Sequence, residues 1–489
     1  AASQNFLVNS RIQSFANSVA PFEVSNNTNR VRSNRLYSIF AFDFYKQVFL
    51  SLSGTQEAAS TIKGAYFYPS MDLAWQFSQL PNMTNKVLSF GKVRMSYGQV
   101  GVQPTAYKFG TTYENFTYGT YDDALDINEF GGGFRLNDDQ GNNVLRPEIK
   151  TEMELGTDLR FFKDRLTVGV TYYKNEIKDI LLAVNLSPSS GFLSKYTNAG
   201  RMKNRGVEVD LGYKILAQAN YGLELYGNWN NNKNKVLDLA GVQRVALTDQ
   251  SITSNAIVGQ PLGILFSSKA ARKADGTLDL DANGFPKLAP QQGVIGNPNP
   301  DWRGGLGLKG FYKKLNFNVL FETFQGGDFA ERTRFVLNAF GTYADTGNEV
   351  TLTKDLKNSA GKVFPAGTTV RGNIFNYGAG DVLLDENWYN TLGGGLGGSA
   401  INEFSITDGS WTRLREVSLG YNFGGAKFRK ATKFESVDLS ISGRNLFIWT
   451  KVKGIDPEVN QSGVDNGFGI EYFTNPSTRS WVFSAKFNF

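Results

Sequence analysis

The sequence predicts an all-β fold, a transmembrane antiparallel β-barrel of which about 13 or 14 strands are readable. Three observations carry this prediction. Apolar and polar residues alternate with a period of two in run after run, the spacing that sends successive side chains to opposite faces of a strand. The connections between these runs alternate in length, as they do when every second turn lies on the same side of a membrane. The chain also ends on an aromatic strand with no polar tail, residues 479–489. A β-sandwich would supply period-two runs as well. The connections separate the two folds, because soluble domains rarely hold several structureless loops longer than about 15 residues.

Residues 1–34 are polar and rich in Asn and Ser, and read as an extracellular loop or a strand remnant. The part from 35 to 489 reads as barrel. The first strands are 36–44 and 47–53, joined at Tyr45-Lys46. In 66–78, Met71, Leu73, Trp75 and Phe77 alternate with Asp72, Ala74, Gln76 and Ser78. A turn containing Pro81-Asn82 leads to 87–98, with Val93, Met95 and Tyr97 on one face. In 151–161, Met153, Leu155, Leu159 and Phe161 oppose Glu152, Glu154, Asp158 and Arg160. The turn Phe162-Lys163-Asp164 returns the chain through Leu166, Val168, Val170 and Tyr172. Three further hairpins pair 207–215 with 221–230, 302–311 with 315–325, and 411–423 with 435–445. The last strand sets Trp481, Phe483, Ala485, Phe487 and Phe489 against Val482, Ser484, Lys486 and Asn488. Trp481, Phe483, Phe487 and Phe489 are the candidate closing-strand and assembly signal.

The short connections are Tyr45-Lys46, 79–86, 162–165, 216–220, 312–314 and 424–434. The mostly long set is 54–65, 99–147, 176–204, 231–301, 326–410 and 446–478. Short turns belong on the periplasmic side and long loops outside. This places Phe489 at the periplasmic end.

Composition agrees with a barrel and excludes much else. Hydrophobic residues make up 41% and the mean hydropathy is −0.30. No run approaches the ~18 apolar residues of a membrane helix, yet a barrel strand needs only every second residue to meet lipid. Trp75, Tyr97, Tyr172, Tyr213, Trp229, Trp302, Trp411 and Tyr421 lie near strand ends and read as an interfacial aromatic girdle. Cys and His are both 0, so Ser-His-Asp and Cys-His nucleophiles and His- or Cys-held zinc are ruled out. A net charge of +6 on 51 basic and 45 acidic residues, spread along the chain, is no nucleic-acid footprint. The chain opens at Ala1-Ala2-Ser3-Gln4, with neither Met nor a secretory signal, and reads as part of a longer protein.

Several stretches together resemble one family. They are Tyr66-Phe67-Tyr68-Pro69-Ser70 with Trp75; Arg94-Met95-Ser96-Tyr97-Gly98-Gln99-Val100-Gly101; Asn198-Ala199-Gly200 leading to Asn204-Arg205-Gly206-Val207-Glu208; and Ile295-Gly296-Asn297-Pro298-Asn299-Pro300-Asp301. Leu414-Arg415-Glu416-Val417-Ser418-Leu419-Gly420-Tyr421, Gly443-Arg444-Asn445-Leu446-Phe447-Ile448-Trp449-Thr450 and Gly454-Ile455-Asp456-Pro457-Glu458 complete the set. In order and spacing over 36–489 they resemble the carboxy-terminal barrel portion of the SusC/RagA-like, TonB-dependent outer-membrane transporters of Bacteroidetes. The resemblance implies a barrel of about 22 strands around an amino-terminal plug. It implies active uptake of oligosaccharides or peptides, powered by TonB-ExbB-ExbD through the plug, beneath a SusD-like surface lipoprotein. Neither a plug nor a TonB-box segment is found in this sequence. The alternative is a passive pore or a structural outer-membrane subunit without TonB coupling.

Candidate sites are few, and each has a plainer reading. Asp279, Asp281 and Asn283 resemble the start of a calcium loop, but Pro290 stands where an EF-hand places Glu; a hydrated turn needs the same residues. Glu152, Glu154 and Asp158, or Glu208 and Asp210, are paired carboxylates of the kind used in acid–base chemistry. Facing a lumen beside Arg160 and Lys214, they serve equally as a solvated charge network. The run Gly393-Gly394-Gly395-Leu396-Gly397-Gly398 lacks the Lys-Ser/Thr ending of a phosphate loop and reads as a surface loop. Tyr113, Phe116, Tyr118, Tyr196, Tyr343 and Trp388 are loop aromatics that could stack on a ligand or contact a lid protein, or simply pack their loops.

Overall fold

A computed structural model describes residues 28–116, 133–248, 250–394, 399–463 and 467–489. Thirteen strands follow one another in chain order through one antiparallel ladder. They are β1 (Ser33–Phe44), β2 (Val48–Ala59), β3 (Ala65–Trp75), β4 (Leu88–Val102), β5 (Glu148–Phe161), β6 (Leu166–Asn185) and β7 (Ser194–Ala217). Then come β8 (Tyr221–Asp238), β9 (Trp302–Tyr312), β10 (Leu315–Gln325), β11 (Trp411–Gly424), β12 (Ser436–Thr450) and β13 (Ser480–Asn488). These are the thirteen runs read from the sequence. A two-residue strand, Asp139–Gln140, joins the sheet by pairing in parallel with β7. Among the described residues β1 and β13 are the two edges of the ladder and do not pair with each other.

The register explains the alternation. Leu50, Leu73, Met95, Leu155, Tyr172 and Val207 stand opposite one another from β2 to β7 and form one apolar row. Leu419, Ile441 and Phe483 do the same across β11, β12 and β13. On this face large side chains stand exposed, Leu155, Leu306 and Phe483 among them. A soluble sheet would cover such a face, whereas hydrocarbon solvates it. A slip of one residue would turn the whole apolar row inward, so the pattern pins the register.

Two connections of the mostly long set are shorter than the sequence predicts. The run 54–65 shrinks to 60–64 and the run 176–204 to 186–193, because the flanking strands continue. β6 and β7 are 20 and 24 residues long, against the ~9–11 residues that cross the hydrocarbon. The hairpin therefore projects well beyond the membrane. Gly54 reads as a turn in the sequence but sits inside β2: a Cβ there would fall 2.5 Å from Cζ of Phe67, whose ring occupies the space. The same joint recurs at Gly206 under Tyr173 and at Gly307 under Tyr226, with a Cβ 2.5 and 2.2 Å from the respective Cζ atoms. Tyr226 Oη then reaches across to donate to Asn318 Oδ1 at 2.7 Å.

At the strand ends opposite the short turns, three connections fold into a cap. One carries a four-stranded sheet of Arg244–Ala246, Thr253–Ile257, Ile264–Ser267 and Gly293–Gly296. Another carries the helices α1 (Arg332–Ala339) and α2 (Glu386–Asn390). Its strand Asp328–Glu331 pairs with Ile406–Asp408 and, from the third connection, with Ile470–Glu471. The apolar clusters found among the described residues lie in or beside this cap. One gathers Phe285, Val382, Leu384, Trp388 and Tyr389, and another Ile252, Leu265, Ala330 and Ile470. The cap is thus a cored structure of its own where the sequence predicts loops.

Candidate functional site

An open cavity of about 920 Å³ lies on the polar face of the sheet, lined by residues of strands β4 to β11. Register builds its wall. Lys92, Asp158, Gly169, Asp210, Asn228, Gly305, Glu322 and Arg413 stand opposite one another in a single row. The charges in the wall are largely spent on each other. Lys92 Nζ lies 2.8 Å from Asp158, and Arg94 lies 3.7 Å from Asp158 and 3.9 Å from Glu154. Lys150 pairs with Glu152 at 2.8 Å, and Asn175 donates to the same carboxylate at 2.8 Å. Lys309 pairs with Glu224 at 3.3 Å. Carboxylates tied up in this way make an ionic lining, not an acid–base pair set around a scissile bond.

At the cap end of β11 the wall changes character. The alternation slips at Arg415: Leu414 pairs with Phe321 and Phe447, yet Glu416, two residues on, pairs with Leu320 and Arg444. Such an irregularity re-aims side chains. It puts Arg413, Arg415 and Trp411 on the cavity side. Trp411 is therefore not part of the girdle. It is buried and stacks on Phe324 at 6.1 Å, 10° from parallel, while the other seven girdle residues lie on the apolar face.

Arg413 and Arg415 hold down the connection that follows β12. Arg413 Nη2 lies 2.6 Å from Asp456, its Nε 2.8 Å from Glu458, and its Nη1 donates to Ser477 at 2.8 Å. Arg415 spans Glu322 of β10 at 2.6 Å and Glu458 at 2.5 Å, and also donates to Asn445 at 2.8 Å. Asn445 holds a left-handed backbone, φ 54°, a conformation Asn tolerates better than most residues. Burial alone would push the Asp456 carboxyl up. The Ser477 hydroxyl, the Glu458 N–H and Arg413 outweigh it and hold the group below its ordinary value. The result is a clasp between barrel wall and cap. Its parts lie in two of the stretches quoted for the resemblance, around Leu414-Arg415-Glu416-Val417 and Asp456-Pro457-Glu458. Nothing in the sequence joined residues 43 positions apart.

The other candidates fall in different places. Tyr113 is exposed on a small hairpin of Tyr113–Phe116 with Gly133–Leu136. Tyr118 and the side chain of Phe116 lie outside the described residues. Tyr196 lies in β7 with the Lys108 ammonium 5.9 Å from its ring centre. Tyr343 donates to the carbonyl of Lys453 at 2.5 Å and faces the Arg334 guanidinium. Trp388 is 3% exposed, packed among Phe285, Tyr377 and Phe404, so its ring has no free face for a ligand. Gly393 lies against that indole, where a Cβ would fall 2.1 Å from Nε1; 395–398 lie outside the described residues. Asp281 Oδ1 accepts from the N–H groups of Asn283 and Phe285, and Asp279 pairs with Lys287 at 3.1 Å. These bonds form a hairpin turn, and no cluster of three His, Cys, Asp or Glu that could hold a metal occurs among the described residues. Trp481, Phe483, Phe487 and Phe489 stand exposed along β13 and at its end.

A sequence profile described as TonB dependent receptor-like, beta-barrel, matches residues 4–446. The chain belongs to that family. It is an outer-membrane β-barrel chain, and its exposed apolar face is the face toward lipid. TonB-dependent receptor P3 of Formosa agariphila is 24% identical over 460 residues, 86% of this chain and 42% of the relative. TonB-dependent receptor SusC of Bacteroides thetaiotaomicron is 24% identical over 438 residues, 85% of this chain and 39% of the relative. Among solved structures, the RagAB peptide importer in the 'closed-closed' state superposes with a TM-score of 0.71 at 19% identity. That superposition covers 99% of this chain and 51% of the importer chain. The chain thus spans about half the length or less of the relatives it matches.

Proposed function

We propose that this chain forms the larger part of the barrel wall and the mouth of a TonB-coupled outer-membrane transporter for oligosaccharides or peptides, working beneath a SusD-like surface lipoprotein. The observation that carries the reading is the family match over residues 4–446. The geometry is consistent with it. A mostly self-paired ionic wall suits passage of a hydrated solute, because transport needs contacts weak enough to release. The clasped cap suits a mouth that is held shut until something engages it.

Isolating the full-length protein from its native membrane, and identifying the lipoprotein and ligand that travel with it, tests the partner and substrate classes. Uptake of that labelled ligand is then compared in cells with and without TonB. Loss of uptake without TonB supports the reading. A homogeneous chain with no lipoprotein, and uptake independent of TonB, means a passive pore.

A further inference from the structure

Just beyond the lipid-facing belt, β6, β7 and β8 carry a basic surface that the lumen does not use. The outward apolar run 207–215 of β7 matches the ~9–11 residues that cross the hydrocarbon. Tyr172 of β6, opposite Val207, and Trp229 of β8, opposite Val209, mark its upper limit. The next outward positions toward the cap are mostly cationic. Arg205 stands between Lys174 of β6 and Lys233 of β8. Two residues further, Lys203 stands between Glu176 and Lys235, and then Arg201 between Lys178 and Asp238. Glu176 lies 3.8 Å from Arg201 and 4.0 Å from Lys178.

Lys174, Lys203, Arg205, Lys233 and Lys235 are exposed, and their charged groups have no ion-pair or hydrogen-bond partner among the described residues. The alternate residues turn inward and bond to one another. Tyr173 Oη donates to Asn232 Oδ1 at 3.0 Å, and Asn204 Nδ2 donates to Asn175 Oδ1 at 2.7 Å. The sheet itself thus separates the outward cations from the acids of the lumen. Like charges directly opposite one another on a sheet are destabilising. Three strands hold these five in register, so their counter-charge comes from outside the chain.

A second feature adjoins them on the same outward face. An open apolar groove of about 580 Å³ lies below the cations, with Val209, Trp229, Trp302, Leu306 and Phe321 along its sides. Gly227 and Gly304 stand where outward side chains would otherwise fill it. From Trp229 to Lys233 the extended chain runs about 13 Å, within the ~20 Å depth of one leaflet with its headgroups. We propose that this face binds one lipid of the extracellular leaflet whose headgroup carries more than one phosphate, with the phosphates on the five cations and an acyl chain in the groove. Arg205 suits a phosphate by its planar fork and the lysines by point charge. Successive rows of cations stand about 7 Å apart along the strands, too far for one phosphate to serve both. An acidic protein surface would match the cations but not the groove, which opens into hydrocarbon. The bound lipid would fix the depth of the wall in the membrane and tie the projecting β6–β7 hairpin to its surface.

The test is titration of the full-length protein in neutral detergent with diphosphoryl lipid A as the probe, followed by intrinsic fluorescence. Its monophosphoryl form, its deacylated headgroup and inorganic pyrophosphate are run beside it. Diphosphoryl lipid A binds saturably, the monophosphoryl form and the deacylated headgroup bind more weakly, and added salt weakens all of them. Arg205→Gln with Lys233→Gln lowers the affinity about 25-fold, at roughly fivefold for each cation near a charged membrane surface. Both side chains are exposed, so the heat-modifiable band of the double variant stays at the wild-type level. Unchanged affinity in the double variant would overturn the site. So would pyrophosphate competing at equal concentration, which means a site for free phosphate, or a deacylated headgroup bound as tightly as the lipid, which removes the groove. A salt-sensitive dimer that forms without lipid and is lost in the double variant would give the surface to a second copy of the chain instead. Uptake enters none of these readouts, so the site stands or falls apart from the transport reading.

Discussion

Replacing Arg413 by Met isolates what the clasp contributes. The side chain is 4% exposed and its partners Asp456 and Glu458 are 9% and 23% exposed. Methionine fills the same stem volume but strands the carboxylates. Removing one partner of a buried pair costs about 3–5 kcal/mol. Glu458 keeps Arg415 at 2.5 Å, and Asp456 keeps the Ser477 hydroxyl and the Glu458 N–H, so the loss falls at the low end, about 3 kcal/mol. At 1.4 kcal/mol per factor of ten, local opening of the connection rises roughly 100-fold. Hydrogen exchange on the full-length protein reads this directly. Residues 451–463 lose protection, including the Gln461 amide bonded to the Ile470 carbonyl at 2.9 Å, while β4 to β9 do not change. The pH dependence follows from sign. The Asp456 carboxyl is held below its unfolded value, so the clasp's contribution is complete above the ordinary carboxylate range, near pH 4. It disappears as pH falls through the depressed value, and wild-type protection is flat from about pH 5 to 8. Unchanged exchange at 451–463 in Arg413→Met, or loss spread evenly over the sheet, would refute the argument.

Three further outcomes are expected. Deleting 481–489 exposes the edge of β12 to lipid and abolishes folded protein in the outer membrane, measured as heat-modifiable band intensity; normal yield would contradict the role given to β13. Gly307→Leu forces the Tyr226 ring off its seat and its hydroxyl off Asn318, costing about 1–3 kcal/mol by urea unfolding, whereas Gly307→Leu with Tyr226→Ala recovers part of that loss. The Ser410 hydroxyl, Lys451 and the Ser410 N–H hold the Asp408 carboxyl down at about 2. The stability difference between wild type and Asp408→Asn is therefore constant above the ordinary carboxylate range and vanishes as pH falls through about 2. The pair is exposed, so this difference is no more than about 1 kcal/mol.

The thirteen strands were legible because two solvents impose the pattern, hydrocarbon on one face and a polar lumen on the other. Where only one solvent acts, the signal fades. β6 and β7 continue past the membrane through 174–178 and 201–205, where both faces carry polar residues, and the alternation that marks a strand is lost. The cap leaves no such signal, for a different reason. Its strands are two to five residues long, too short to show a period, and its cores join residues far apart, such as Phe285 with Trp388. Alternation counted from Leu419 and Tyr421 puts Trp411 on the apolar face, but the slip at Arg415 reverses the inward face within that strand. Of the aromatic candidates, Trp388 shows how composition misleads: a large ring in a long connection looks available until that connection proves to have an interior.

The glycine–aromatic joints have a consequence for how such a wall can change over generations. Gly206 with Tyr173 and Gly307 with Tyr226 lie in neighbouring strands but far apart in the sequence, and each ring fills the volume its glycine leaves empty. Neither partner can be exchanged alone without a clash or a hole. Each pair is inherited as one character, and among relatives the two positions will covary, glycine with a large ring and a larger residue with a small one. Pairing of this kind records which strands are neighbours, and homologous sequences alone would reveal it.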